Sequence, residues 1–319
     1  MKADNGNKPK TPASKKEEKD NLPEETGLFS KLRFPELPMQ QAIGLPLAIL
    51  FVSLLIIGYT LVTVNSPLHL GPDFKGGTTA TISTDKTDQQ LQAEFSQYGL
   101  TSVTTVGGQK EHQFSAASAT EQQKLTAYLN SNYANATIAQ TGSLISVANQ
   151  GQAIIAIIIA FLGMGITVFV IFRNVIPSLA VVMSAFSDIM FAMAMMNLFH
   201  VELSFGTLAA LIMLIGYSVD TDILLTTKVL GERKYLDKKI SSCRTTGLTM
   251  TTAAIITFVV LYIFSTFAYL VGLAAIPTLS AIALVMIFGL IADVFNTWFF
   301  NAGLLKWYME SPAGRAKYG

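Results

Sequence analysis

Six long apolar stretches constrain this chain more than any other feature. They run roughly Ile43–Val64, Ala153–Phe172, Pro177–Phe199, Leu203–Leu225, Leu248–Leu270 and Ile276–Phe300. A helix crossing ~30 Å of hydrocarbon needs about 20 mostly apolar residues, and each stretch meets that length. The first reads as an anchor rather than a cleaved leader. It is long, it follows a charged tail, and it lacks a small-residue A-x-A cleavage pattern. Composition agrees, with 51% hydrophobic and only 13% charged residues.

Charge placement orients the spans. The loop between the fourth and fifth stretches carries Lys228, Arg233, Lys234, Lys238, Lys239 and Arg244, whereas the turns at His200–Glu202 and Val271–Ala275 carry no Lys or Arg. With both termini cytoplasmic, 18 of the 22 basic residues fall on the inner side, as the positive-inside bias of short loops requires. The expected layout is a disordered cytoplasmic tail at 1–40, a span at 43–64, an extracytoplasmic domain at 65–150, spans two to six within 153–300, and a cytoplasmic tail at 301–319. The first tail holds 15 of the 43 charged residues and too few apolar ones to offset the entropy of ordering it.

Residues 65–150 show strand and helix signals in alternation. Gly76–Thr84 reads as a strand. Lys86–Tyr98 reads as a helix capped by Asp85 or Thr87 and ended by Gly99. Leu100–Val106 and Glu111–Ala116 read as a hairpin turned at Gly107-Gly108. Ala119–Tyr133 follows as a second helix and Ala136–Ile145 as a last strand. This β-α-β-β-α-β order is the ferredoxin-like arrangement. The fold class is therefore an all-α bundle of six spans with a small α+β ferredoxin-like domain.

Several function classes are excluded. A net charge of +1 and no basic stripe interleaved with aromatics speak against nucleic acid. The single Cys243 has no partner for an internal disulfide. His112 reads as an ordinary strand histidine, and the run Met190, Met193, Met195 and Met196 reads as helix packing, so no metal or cofactor is expected. Gly163, Gly165 and Gly289 suggest close helix approach. Asn135-Ala136-Thr137 is a short glycosylation-type triplet that also arises by chance.

Four carboxylates stand out because ionisable groups inside a bilayer are expensive. Asp188 falls in the third stretch, Asp220 and Asp222 in the fourth, and Asp293 in the sixth, all at comparable depth. Asp220 and Asp222 are about 200° apart around a helix, so they point to different places. Ser187, Ser218, Thr221, Thr249, Thr251, Thr252 and Asn296 supply polar support, and Arg244 supplies a cation at the inner end of the fifth stretch. A carboxyl balanced between burial and a nearby cation can load and release a proton. The plainer alternative is that these acids only pair with polar groups to hold helices together.

Several motifs resemble one family. Asp73-Phe74-Lys75-Gly76-Gly77-Thr78 is similar to the D-F-x-G-G-T signature of the SecD/SecF proteins. Gly216-Tyr217-Ser218-Val219-Asp220-Thr221-Asp222 resembles the G-Y-S motif of the fourth span on the SecF side of that family. Arg244-Thr245 with Thr249 and Thr251-Thr252 is similar to the start of its fifth span, and Ser187-Asp188 sits where it has an acidic motif. The resemblance covers 43–308. The bacterial pattern puts its aspartate where Thr221 stands, whereas aspartates flank that position here, in a form that looks archaeal.

The resemblance implies a non-enzymatic helper of the Sec translocon with an RND-like half-bundle. It implies SecD as partner, an unfolded polypeptide as client and lipids around the spans. It also implies a proton relay through Asp220 or Asp222, with Asp188, Arg244 and Thr251; the expense of charge in a bilayer adds Asp293, which the bacterial pattern lacks at that spot. Asp73, Phe74, Gly76, Gly77 and Thr78 would lie at the junction between the first span and the outer domain, where two glycines suit a tight, hinge-capable connection. An RND exporter of small molecules usually has twelve spans and two larger outer domains. An intramembrane aspartyl protease needs a G-x-G-D pattern that is absent here. Sodium remains open as an alternative to the proton.

Overall fold

The computed structural model describes residues 39–318 except 83, 85, 107–108, 115–118, 134–135, 142, 232–235 and 272–275. The tail at 1–38, the Gly107-Gly108 turn, Asn135 of the glycosylation-type triplet, Arg233, Lys234 and residues 272–275 lie outside the described residues.

The first apolar stretch forms α1 (Met39–Val64), and a single turn, α2 (Pro72–Lys75), leads into the inserted domain. There β1 (Gly77–Ile82), α3 (Asp88–Phe95), β2 (Leu100–Val106), β3 (Gln109–Phe114), α4 (Ala119–Asn132) and β4 (Thr137–Thr141) follow in order. The sheet runs β2-β3-β1-β4 with every described neighbour antiparallel, the ferredoxin-like order expected from the sequence. Thr87 caps α3 with a full capping box to Gln90, so of the two residues named for the cap it is Thr87 that serves. Gly99, at φ 69°, then turns the chain left-handed into β2. Ala80, Ile82, Leu91, Phe95, Phe114, Leu125 and Leu129 close the domain's core. His112 is a buried strand residue beside the Phe95 ring, at 5.3 Å between centroids.

The chain then returns to the bundle as α5 (Ser143–Phe172), α6 (Val175–Leu198), α7 (Phe205–Gly231) and α8 (Leu236–Phe267). The last span runs Pro277–Glu310. It consists of α9 (Pro277–Phe295), a π-turn (Asn296–Asn301) and α10 (Ala302–Glu310), and α11 (Pro312–Tyr318) follows it. Six helices among the described residues are long and apolar enough to cross a membrane. Ile154, Ile155, Ile158, Ile159 and Leu162 stay exposed along α5, an outward apolar face suited to lipid.

At the centre lie α6, α7 and α9, joined through Ile189, Leu211, Leu214, Val285 and Met286. Met196 is fully buried, and Met190, Met193 and Met195 pack on the same cluster, so the methionine run serves packing. Gly289 works as expected: Leu214 of α7 occupies the space a Cβ there would need. Gly163 does not, because nothing lies within 4 Å of its Cβ position and it faces outward on α5.

Several boundaries differ from expectation. The last strand stops at Thr141 and not at 145, because its partner β1 begins at Gly77, which pairs with Thr141. Beyond that register the chain is helical, so α5 starts at Ser143, before the expected domain end at 150. The fifth span begins at Leu236, which puts Lys238, Lys239 and Arg244 on a helix rather than in a loop. The segment expected as a tail at 301–319 is instead mostly helical: α10 runs to Glu310, where Leu305, Tyr308 and Met309 bury against Leu225, Val229 and Cys243, Ser311 breaks it, and α11 ends at Tyr318.

Candidate functional site

Three aspartates meet inside the bundle. Asp188 of α6 and Asp222 of α7 are 0% exposed, and Asp293 of α9 is 1% exposed. Uncompensated charge at such burial is costly, and the neighbouring side chains answer it with hydrogen bonds. Ser218 Oγ donates to Asp188 Oδ2 at 2.6 Å, and Asn296 Nδ2 donates to Asp188 Oδ1 at 2.6 Å. Asn301 Nδ2 donates to Asp222 Oδ1 at 2.7 Å. Thr297 Oγ1 lies 2.8 Å from Asp222 Oδ1 and 3.1 Å from Asp293 Oδ1. Asp222 Oδ2 and Asp293 Oδ2 are buried with no hydrogen-bond partner among the described residues.

Local geometry explains how one span reaches all three acids. Ser218 and Asp222 stand four residues apart, on one face of α7. Asn296 and Asn301 would sit about 140° apart on an ordinary helix. The wider i→i+5 closure of the π-turn narrows that angle, so Asn296, Thr297 and Asn301 all aim inward. Thr297 and Asn301 were missed from sequence. Asn301 falls just past the expected span end at Phe300, and its signal was the polar spacing N-T-x-x-x-N closing an apolar run.

The other expected residues divide. Asp220 is exposed, as its rotation of about 200° from Asp222 requires, and it stands apart from the three buried acids. Thr251 is buried on α8 at 4% exposure. One turn earlier on α8, Gly247 lets Trp298 and the Thr221 methyl approach. Arg244 is half-buried on the same helix, about two turns from Thr251.

A second cluster joins the sheet domain to the bundle. Phe74 is 0% exposed, wedged among Ala153, Leu208, Leu203 and Ile157, with its ring 5.3 Å from that of Phe205. Asn149 Nδ2 donates to Asp73 O at 2.9 Å, and Gln150 Nε2 donates to Phe74 O at 2.5 Å. The Asp73 carboxylate accepts the Phe205 N–H at 3.0 Å. Gly76 (φ 76°) and Gly77 (φ 128°) then turn the chain into β1, through backbone open chiefly to glycine. Thr78 is buried in β1, paired with Phe114 on one side and Gln140 on the other. Gln113 Nε2 of β3 donates to Glu202 Oε2 at 2.5 Å. Burial raises the Glu202 carboxyl above its ordinary range despite that bond and the nearby Lys75, and burial with the Glu202 charge raises Glu111.

This bundle and its inserted sheet can be set beside known proteins. The family described as "Protein export membrane protein SecD/SecF, C-terminal" matches residues 121–311. Protein-export membrane protein SecF of Methanolacinia petrolearia is 40% identical over 271 residues, covering 85% of this chain and 94% of that protein.

The chain belongs to the SecD/SecF family.

Its SecF relatives include that of Haloferax volcanii, 40% identical over 270 residues, covering 84% of this chain and 92% of that protein. That of Pyrococcus furiosus is 47% identical over 165 residues, covering 51% of this chain and 53% of that protein. The fold is shared with the crystal structure of SecDF, a translocon-associated membrane protein, from Thermus thermophilus. The TM-score is 0.71 at 18% identity, over 88% of this chain and 39% of that chain. This SecD/SecF family member is thus a multi-pass membrane protein related to protein-export components, and it spans about two fifths of that SecDF chain.

Proposed function

We propose that this chain is a SecF subunit that works beside a SecD-type partner and draws on the proton gradient through Asp222, Asp293 and Asp188. The observation that carries this reading is the shared hydroxyl of Thr297, within hydrogen-bond distance of both Asp222 and Asp293. One hydroxyl has one proton to donate. The contact with both oxygens closes when one carboxyl is protonated and donates to Thr297 while Thr297 donates to the other. Reversing that chain moves a proton from one acid to the other without either leaving its place.

Asp188 stands next in line. Asn296, adjacent to Thr297, holds it, and so does Ser218, one turn from Asp222. A change in charge on any of the three acids alters contacts on α6, α7 and the π-turn together. Thr251 and Arg244 on α8 bound the relay. Asp220, exposed on the other side of α7, is left out of it. With both termini cytoplasmic and the sheet domain outside, the relay lies between the two faces and the domain meets the emerging unfolded polypeptide. The Sec translocon is the wider partner, lipid surrounds α5, and the Gly76-Gly77 connection lets the domain move.

The test is export of a secreted reporter, with and without the gradient, in cells carrying Asp222→Asn, Asp293→Asn, Asp188→Asn or Asp220→Asn at equal expression and equal assembly with the partner. The first three are expected to lose the gradient-dependent part and Asp220→Asn to retain it. Normal gradient-dependent export in all three buried variants would make the acids structural and overturn the proposal.

A further inference from the structure

The helix that carries Asp222 begins against the sheet domain. Phe205 is the first residue of α7, and the first N–H groups of a helix have no partner within it. Ser204 and Thr207 serve each other at this end, Thr207 Oγ1 accepting the Ser204 N–H at 2.8 Å and Ser204 Oγ accepting the Thr207 N–H at 3.2 Å. The Phe205 N–H goes instead to Asp73, 132 residues earlier in the chain, at 3.0 Å. A carboxylate here also meets the positive end of the helix dipole.

Asp73 is itself firmly placed. Its carbonyl is held by Asn149, the next carbonyl by Gln150, and the Phe74 ring is fully buried beneath them. A backbone bond from Gly71 N to Leu203 O at 2.9 Å and another from Leu203 N to His69 O at 2.7 Å fasten the preceding strand of chain to the same point. Four residues after Asp73 the sheet begins at Gly77. The neighbouring strand β3 reaches that helix end too, through Gln113 and Glu202. Asp222 lies about 26 Å along α7 from Phe205, on one uninterrupted helix.

We infer that Asp73 is a positioning residue that ties the α7 N-terminus to the base of the sheet domain, so that a shift of α7 caused by proton transfer at Asp222 moves the domain. This rests on the proposed function. The Pro72–Lys75 turn is then a clamp that travels with α7, and bending is confined to Gly76 and Gly77 beyond it. The Asp73 side chain touches neither the proton nor the client. It fixes where the end of α7 is held.

The experiment measures the distance between spin labels at Lys124, exposed on α4, and Leu198, exposed at the end of α6. The labels are attached through introduced cysteines in a Cys243→Ala background that also carries Glu111→Gln and Glu202→Gln, because these two carboxyls face the join and would add a pH response of their own. The full chain, reconstituted with its SecD-type partner in lipid nanodiscs, is compared at pH 8 and pH 5. The wild type is expected to change its distance distribution between the two, and Asp222→Asn to abolish the change. Asp73→Ala is expected to abolish it as well, with assembly retained. Asp73→Asn keeps an oxygen for the Phe205 N–H and is expected to behave as wild type. A merely structural role would lower assembly in Asp73→Ala and leave the pH response of the assembled fraction intact. A response that survives Asp73→Ala overturns the inference. A response that survives Asp222→Asn, or none in the wild type, overturns the proposed function and this inference with it.

Discussion

Asn301 reaches Asp222 from beyond the expected end of the last span, donating Nδ2–H to Oδ1 at 2.7 Å. The contact depends on the π-turn at Asn296–Asn301. Such turns are rare and cluster at functional sites, because one extra residue per turn re-aims the side chains around it. Here Asn296, Thr297 and Asn301 all turn inward, within hydrogen-bond distance of acids on three helices.

Replacing Asn301 by Leu removes one of two donors to Asp222 Oδ1 and leaves a buried acceptor half served. The expected loss of unfolding free energy is about 1–3 kcal/mol. Thermal unfolding of the purified complex measures it, and gradient-dependent export should fall in the same variant. Unchanged stability would show that the bond contributes nothing net.

The contact between Gly289 and Leu214 sets how closely α9 approaches α7. Gly289→Ala places a methyl group inside the Leu214 side chain and is expected to destabilise by about 1–3 kcal/mol through overpacking. Leu214→Ala alone opens a cavity at a fully buried site, costing about 2–5 kcal/mol. The double variant should cost less than the two together, with a coupling of about 0.5–3 kcal/mol. A strictly additive pair would mean the helices separate instead of sharing the space.

The join between sheet and bundle should respond to pH through Glu202 and Glu111. Burial raises both carboxyls above the ordinary range, with the Glu202 charge adding to the effect on Glu111. A raised folded-state value means the fold favours the protonated form. The stabilisation is therefore full below the ordinary carboxyl range and is lost as pH rises through the folded-state values. Hydrogen exchange at the β3 amides near Gln113 should speed up across that rise, beyond the intrinsic pH dependence of exchange, and Glu202→Gln should flatten the excess. An equal pH response in the variant would remove Glu202 as its source.

Much of this architecture was legible in the sequence because local physics sets it. Apolar runs of sufficient length dictate helices in lipid, where a backbone must satisfy its own hydrogen bonds. Thr87 and Gly99 punctuate α3 by capping chemistry confined to a few residues. The β-α-β-β-α-β order followed from alternating patterns and turn residues. The motif residues from Asp73 to Thr78, and the expense of charge in a membrane, pointed to both clusters described above.

What the sequence left open depends on rotation and distance between helices. It supplied Asp220 and Asp222 as an ambiguous pair, and only the packing of α7 against α6 and α9 turned Asp222 inward and Asp220 outward. It placed Gly163, Gly165 and Gly289 in one class, yet Gly289 meets Leu214 closely, Gly165 meets Val182 only at ordinary contact distance and Gly163 meets nothing. It ended the last span at Phe300, because hydropathy carries no information about a π-turn that brings Asn301 back to Asp222. The Asp73–Phe205 bond joins residues 132 positions apart, and no local pattern encodes a contact made only when two distant segments fold together. Local periodicity determined which elements form; tertiary packing decided which side chains face one another.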